Sequence, residues 1–344
     1  MANIFEWTAR IEDVPLAPLF LQILLIQKWT NENGYKNFPL YSSGWIAFND
    51  HDAFDSIMDD YPVGNDLFDF DSATDENDEI MNLENFTLDV WNDLKNKFSN
   101  INWNTHINEW LDPNQNFLED FSSELAMRKM FYHPDETFIQ NWHQCYNDGT
   151  WSVKSDILTD VQNFISSNLG NGEYISLRLK LRRDKYDPLV KQGMAKCDPV
   201  TYEPTDLDAY DNNMTSAIST IDNYLDLNTN ITHMFVSAGT ESLANSFKTK
   251  WEEISSHKSI QIVNELAVID NTFFDKTVLF SGFDTLENYI NWNKNAVKDM
   301  LLFGSAKHLF KVPSTSTTVG QILCNNTNQT IIGDDQSTRL SISY

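Results

Sequence analysis

Glycine and proline are both scarce in this 344-residue chain, at 12 and 10 residues. That excludes collagen-like and linker-dominated architectures. Cysteine is scarcer still: Cys145, Cys197 and Cys324 stand far apart. Three widely spaced thiols make neither a disulfide framework nor a CxxC metal knuckle, so they read as reduced and buried. Positive charge is short, with 24 Lys and Arg against 50 Asp and Glu and a net charge of −26. A field of that sign repels phosphate backbones, so direct sequence-specific nucleic-acid binding is not expected. No apolar run reaches the roughly 20 residues needed to span a bilayer. The strongest, residues 14–26, is interrupted by Pro15 and Pro18 and reads as a buried helix. No basic segment opens the chain, so a signal peptide is not expected and the protein reads as soluble and cytoplasmic during synthesis.

Aromatic residues, by contrast, are plentiful: 10 Trp, 12 Tyr and 22 Phe, ample for a packed core. The expected class is α+β. The first half, residues 1–172, reads as mainly helical and acidic, with apolar positions every fourth residue at Phe86, Val90, Leu94 and Phe98. Helices are also expected over residues 116–131 and 153–167, the latter stopped by Leu169-Gly170-Asn171-Gly172. Residues 174–181 alternate as a strand, with Ile175, Leu177, Leu179 and Leu181 on one face and Ser176, Arg178 and Lys180 on the other. A proline-bearing connector to residue 213 reads as an arm. Residues 214–313 read as a small mixed α/β layer of strand, small-residue turn and helix. Within it, Thr240 is placed to cap a helix that follows Ser237-Ala238-Gly239. The polar tail, residues 314–344, reads as a strand-prone arm.

Motifs for chemistry are few. Asp69, Asp71 and Asp75 are spaced like a calcium loop, but Thr74 and Ile80 occupy the positions that need Gly and Glu. His133, His143 and Cys145 lack zinc spacing. The turn at Ser237–Thr240 opens a helix, where free N–H groups suit an anion, yet GxGxxG, GxxxxGK[ST] and GxSxG are all absent. No catalytic constellation stands out, and no cofactor or metal is expected.

Charge distribution is the distinctive feature. Residues 178–198 hold seven basic side chains against three acidic ones, within a strongly anionic chain. Arg178, Lys180, Arg182, Arg183 and Lys185 therefore read as a cationic stripe that grips something negative. The complementary surface is the stretch Asp50, Asp52, Asp55, Asp59, Asp60, Asp66, Asp69, Asp71, Asp75 and Glu76, where no Lys or Arg intervenes. Opposite patches on one molecule give head-to-tail contacts. The expected function is a self-assembling structural protein of a virus or phage particle, such as a capsid, neck or tail component. Its expected partners are copies of itself and other particle proteins, with no membrane. The alternative is a carbohydrate-active hydrolase using paired carboxylates of the Trp-rich first half.

Overall fold

The computed structural model describes residues 3–8, 20, 24, 27, 35–40, 67–70, 79–82, 134–149, 151–170, 173–181, 192–198, 201, 203–264 and 286–335. The chain divides into two compact units, residues 1–157 with 342–344, and residues 158–341.

In the first unit, β1 (Asn3–Thr8) lies between β2 (Tyr35–Leu40) and β4 (Glu79–Asn82), and both pairings are parallel. β3 (Phe68–Phe70) pairs antiparallel with β5 (Trp151–Val153). Between them in sequence is α1 (Glu136–Asn147), whose N-cap Asp135 accepts from the Phe138 amide at 2.7 Å. Pro134 therefore precedes a helix. The centre of this unit is aromatic: Phe68 meets Phe20 and Trp151 edge-on, at centroid separations of 4.9 and 5.1 Å. The first half was expected to be mainly helical; its described residues hold two helices and five short strands. The helices expected over 86–98 and 116–131 lie outside the described residues.

α2 (Ser155–Asn168) leads into the second unit, ending at Gly170 in the left-handed region (φ +63°). There a Cβ would lie 2.6 Å from the His233 ring, so glycine is required twice over. Then follow β6 (Tyr174–Arg178), β7 (Gln192–Gly193), α3 (Leu207–Leu227), β8 (His233–Ser237), α4 (Glu241–Ile254), β9 (Gln261–Val263), α5 (Leu286–Ser305), β10 (His308–Lys311), α6 (Thr315–Cys324), β11 (Gln329–Ile331) and β12 (Asp334–Asp335).

Five of these strands form one sheet in the order β11-β10-β6-β8-β9, and every pairing is parallel. Numbered by appearance within this sheet, that is 5-4-1-2-3. It is the strand order of a nucleotide-binding doubly wound fold, with the direction of winding reversing between β6 and β10. Helices cover both faces. On one, Ile175, Leu177 and Leu179 pack with Ile218 and Ile221 of α3 and Leu243 and Phe247 of α4. The buried residues of α3 recur at 214, 217, 218, 221 and 225, the spacing of a single helical face. On the other, Tyr174 Oη donates to the Leu302 carbonyl at 2.7 Å and Phe235 packs on Phe303 of α5.

The alternation expected for residues 174–181 is present. Its polar face, however, lies under α5, leaving Tyr174 and Ser176 wholly buried. A parallel strand within a doubly wound sheet is covered on both sides, and that removes the solvent such a stripe would need. The connector is not simply an arm either: Met194, Ala195 and Cys197 belong to the core. The tail is mixed: residues 315–324 form a helix capped by Ser314 and closed by Asn325 at φ +53°, where a strand-prone arm was expected, and β11 and β12 beyond it are strands. Overall the described residues give a mixed α/β protein.

Candidate functional site

The carboxyl edge of the five-stranded sheet gathers the polar groups. At the ends of three adjacent strands, Lys311 of β10, Arg178 of β6 and Ser237 of β8 are successive register partners. In a parallel sheet such partners project to the same side, here toward α5 and α6.

Arg178, half-buried, donates from Nη1 to Ser237 Oγ at 2.7 Å. Ser237 Oγ in turn donates to Asp299 Oδ2 of α5 at 3.0 Å. One helical turn along, the Phe303 ring lies 5.9 Å from the Arg178 guanidinium carbon. Asp299 is buried, and loss of solvent raises its pKa to about 7; the Arg178 charge and the Ser237 hydrogen bond pull the other way. Lys311 is wholly buried and donates to Gln321 Oε1 of α6 at 2.8 Å. Burial depresses its pKa to about 7. Among the described residues, two basic groups and one acid meet at this edge.

Two helices begin here. Thr240 caps α4, accepting from the Leu243 amide at 3.1 Å, as its sequence position implied. Ser314 caps α6, and its hydroxyl lies 3.2 Å from that of Ser316 and 3.0 Å from that of Thr317. Thr317 and Thr318 also donate to the Ser314 carbonyl. Ser314, Thr317 and Thr318 are buried at the helix start, where the backbone carries partial positive charge.

Of the sequence-derived site, Arg178 belongs to this cluster and Lys180 lies half-buried just beyond β6. Arg182, Arg183 and Lys185 lie outside the described residues. So do Asp50, Asp52, Asp55, Asp59, Asp60, Asp66, Asp71, Asp75 and Glu76. Asp69 is exposed on β3, opposite Ser152. Among the described residues, no three His, Cys, Asp or Glu side chains come together as a metal site requires. No helix among them is long and apolar enough to cross a membrane. Sequence reasoning missed Asp299, Lys311, Gln321 and Ser314. Of these, only Ser314 carried a local signal, a serine after proline opening a run of hydroxyl residues.

No family model matches the sequence, and no curated protein does. Solved structures do align over most of its length. One is the α-1,6-fucosyltransferase NodZ soaked with GDP-fucose, 10% identical over 97% of this chain and 96% of that one, with a TM-score of 0.47. A second is POFUT1 in complex with GDP, 9% identical over 97% and 99%, also at 0.47. A third is the fucosyltransferase NodZ from Bradyrhizobium, 9% identical over 94% of each chain, at 0.43. The expected virus or phage particle component is thereby corrected: these neighbours are fucosyltransferases, and nothing points to a capsid, a virion or viral assembly. The hydrolase alternative gains no support and is set aside with it. Of the expected cationic stripe, Arg178 is directed at Ser237 and Phe303 of its own chain.

Proposed function

We propose that this protein binds a nucleoside diphosphate, or a sugar ester of one, at the carboxyl edge of the sheet between β6 and β10, and acts as a glycosyltransferase. The observation that carries the reading is the strand order. In open parallel sheets, ligands sit outside the carboxyl ends of the strands where the winding reverses. Here that point is the junction of Arg178 and Lys311.

The sequence narrows the ligand. A redox dinucleotide needs a glycine-rich turn after the first strand, so that backbone can approach the pyrophosphate. Residues 179–183 are Leu-Lys-Leu-Arg-Arg instead. No P-loop is present for a triphosphate. A diphosphate held by cationic side chains and a hydroxyl-rich helix start fits what is there. Such groups stabilise a departing diphosphate, on which charge develops as the sugar–oxygen bond breaks and the sugar passes to an acceptor hydroxyl. Arg182, Arg183 and Lys185 follow in the sequence, and in this reading they are further cations for the phosphates. In this reading the cationic segment grips phosphate in place of a protein partner.

Thermal unfolding of the full chain with GDP, UDP, ADP and GDP-fucose tests this. A ligand at a hundred times its Kd stabilises by about 2.7 kcal/mol, several degrees in Tm for a chain of this size. At least one of the four at millimolar concentration is expected to give that shift. No shift with any of them overturns the reading.

A further inference from the structure

Resting on the proposed diphosphate site, we infer that Asp299 is a positioning residue that acts through the Ser237 hydroxyl to hold the Arg178 guanidinium in its ligand-binding orientation. Three observations converge. Ser237 Oγ has one proton and directs it to Asp299 Oδ2 at 3.0 Å, so a lone pair is left for Arg178 Nη1 at 2.7 Å. Ser237 is 1% exposed and Asp299 5%, so bulk water competes little for either. Phe303, four residues after Asp299 on the same helical stripe, presents its ring 5.9 Å from the guanidinium carbon. Arg178 is thus held from the β8 side and the α5 side together, and its long side chain loses the rotamer freedom it would otherwise give up on meeting a ligand.

A buried carboxylate is costly in such a place. The other Asp299 oxygen, Oδ1, has no hydrogen-bond partner among the described residues. Packing alone would be served by an apolar residue at 299. Keeping an acid there is accounted for by the orientation it gives Ser237, since a serine hydroxyl without an acceptor rotates and aims its proton elsewhere.

Two measurements on the full chain test this. The first is NMR of the Arg178 guanidinium nitrogens, which needs no ligand. Wild type is expected to show restricted guanidinium rotation, lost in Asp299→Ala and in Ser237→Ala and retained in Asp299→Asn, which keeps an acceptor for the hydroxyl. Free rotation in wild type, or the same restriction in all four proteins, overturns the inference. The second is calorimetric titration with GDP and UDP, alongside guanosine and uridine. Asp299→Ala is expected to weaken the bound diphosphate about tenfold, leave the nucleoside unchanged and be largely rescued in Asp299→Asn. Unchanged diphosphate affinity in Asp299→Ala overturns the inference. Should wild type bind neither diphosphate, the proposed function falls, and the guanidinium signals alone then decide whether Asp299 orients Arg178.

Discussion

Lys311 and Arg178 are register partners on adjacent parallel strands, and each sends its cationic group to a neutral oxygen, Gln321 Oε1 and Ser237 Oγ. Two cationic side chains so placed favour an anion at the strand ends, and burial disfavours full protonation of the lysine.

The lysine makes stability depend on pH. Its pKa falls from 10.5 to about 7 on folding. Between those values the unfolded chain binds more protons, so this residue makes stability rise with pH above 7. Asp299 acts in the opposite sense at lower pH: raised from 3.8 to about 7, it costs stability as pH climbs through that range. His308, lowered by burial from 6.5 to about 4, opposes Asp299 below pH 6.5. Between pH 7 and 9 the lysine acts alone of the three. Urea denaturation of wild type is expected to show a rising contribution there, approaching about 1.4 kcal/mol per pH unit. Lys311→Met should flatten that slope, and an unchanged slope would show that Lys311 is charged in the folded protein.

Replacing Arg178 tests the site itself. Loss of charge-assisted hydrogen bonds of about 1.5–3 kcal/mol in Arg178→Ala should weaken nucleoside diphosphate binding by about ten- to a hundredfold. Arg178→Lys should recover little, because an ammonium cannot reproduce the planar fork that meets Ser237 and stacks by Phe303. Titration calorimetry reads both effects.

Much of this edge was hidden in the sequence for physical reasons. The alternation of Ile175, Leu177 and Leu179 with Ser176 and Arg178 was legible, because strand periodicity is local. That the polar row lies beneath a helix was not, because coverage depends on residues 286–305, more than a hundred positions away. Polar residues at alternate positions read as solvent-facing, whereas Ser176 is buried and its hydroxyl donates to the Phe303 carbonyl at 3.4 Å. The Thr240 cap was legible, since a threonine before a glutamate and an apolar run is a sequence-local signal. The helix at 315–324 was not, because Ser-Thr-Ser-Thr-Thr has weak helix propensity and Ile322-Leu323 looks strand-like. It forms where Val319 and Ile322 are wholly buried and Ser314 supplies the cap. Strand order, which carries the functional reading, leaves no local trace at all.

The Ser314 cap offers a modest stability test. Its hydroxyl accepts from the Thr317 amide and organises the hydroxyl cluster around it. Ser314→Ala should cost about 1 kcal/mol in urea denaturation. Ser314→Asp, which also caps but adds a negative charge, should restore that stability while weakening diphosphate binding. Equal binding in both variants would place the anion elsewhere.

Close packing of α5 on α6 positions this helix start. A Cβ on Gly320 would stand 2.0 Å from the Met300 carbonyl oxygen, and one on Gly304 would stand 2.0 Å from that of Gly320. Neither backbone can yield without separating the helices. Gly320→Ala should therefore destabilise by about 1–3 kcal/mol or more, seen as a lower denaturation midpoint with the slope unchanged.

The most direct measurement is calorimetric titration of the intact wild-type chain with GDP, UDP and ADP at low and high salt. A single site per chain for at least one of them, with affinity that falls as salt rises and is lost in Arg178→Ala, is the predicted result. Saturable binding that Arg178→Ala leaves intact, or no heat with any of the three, would contradict the assignment of the β6–β10 edge as a diphosphate site.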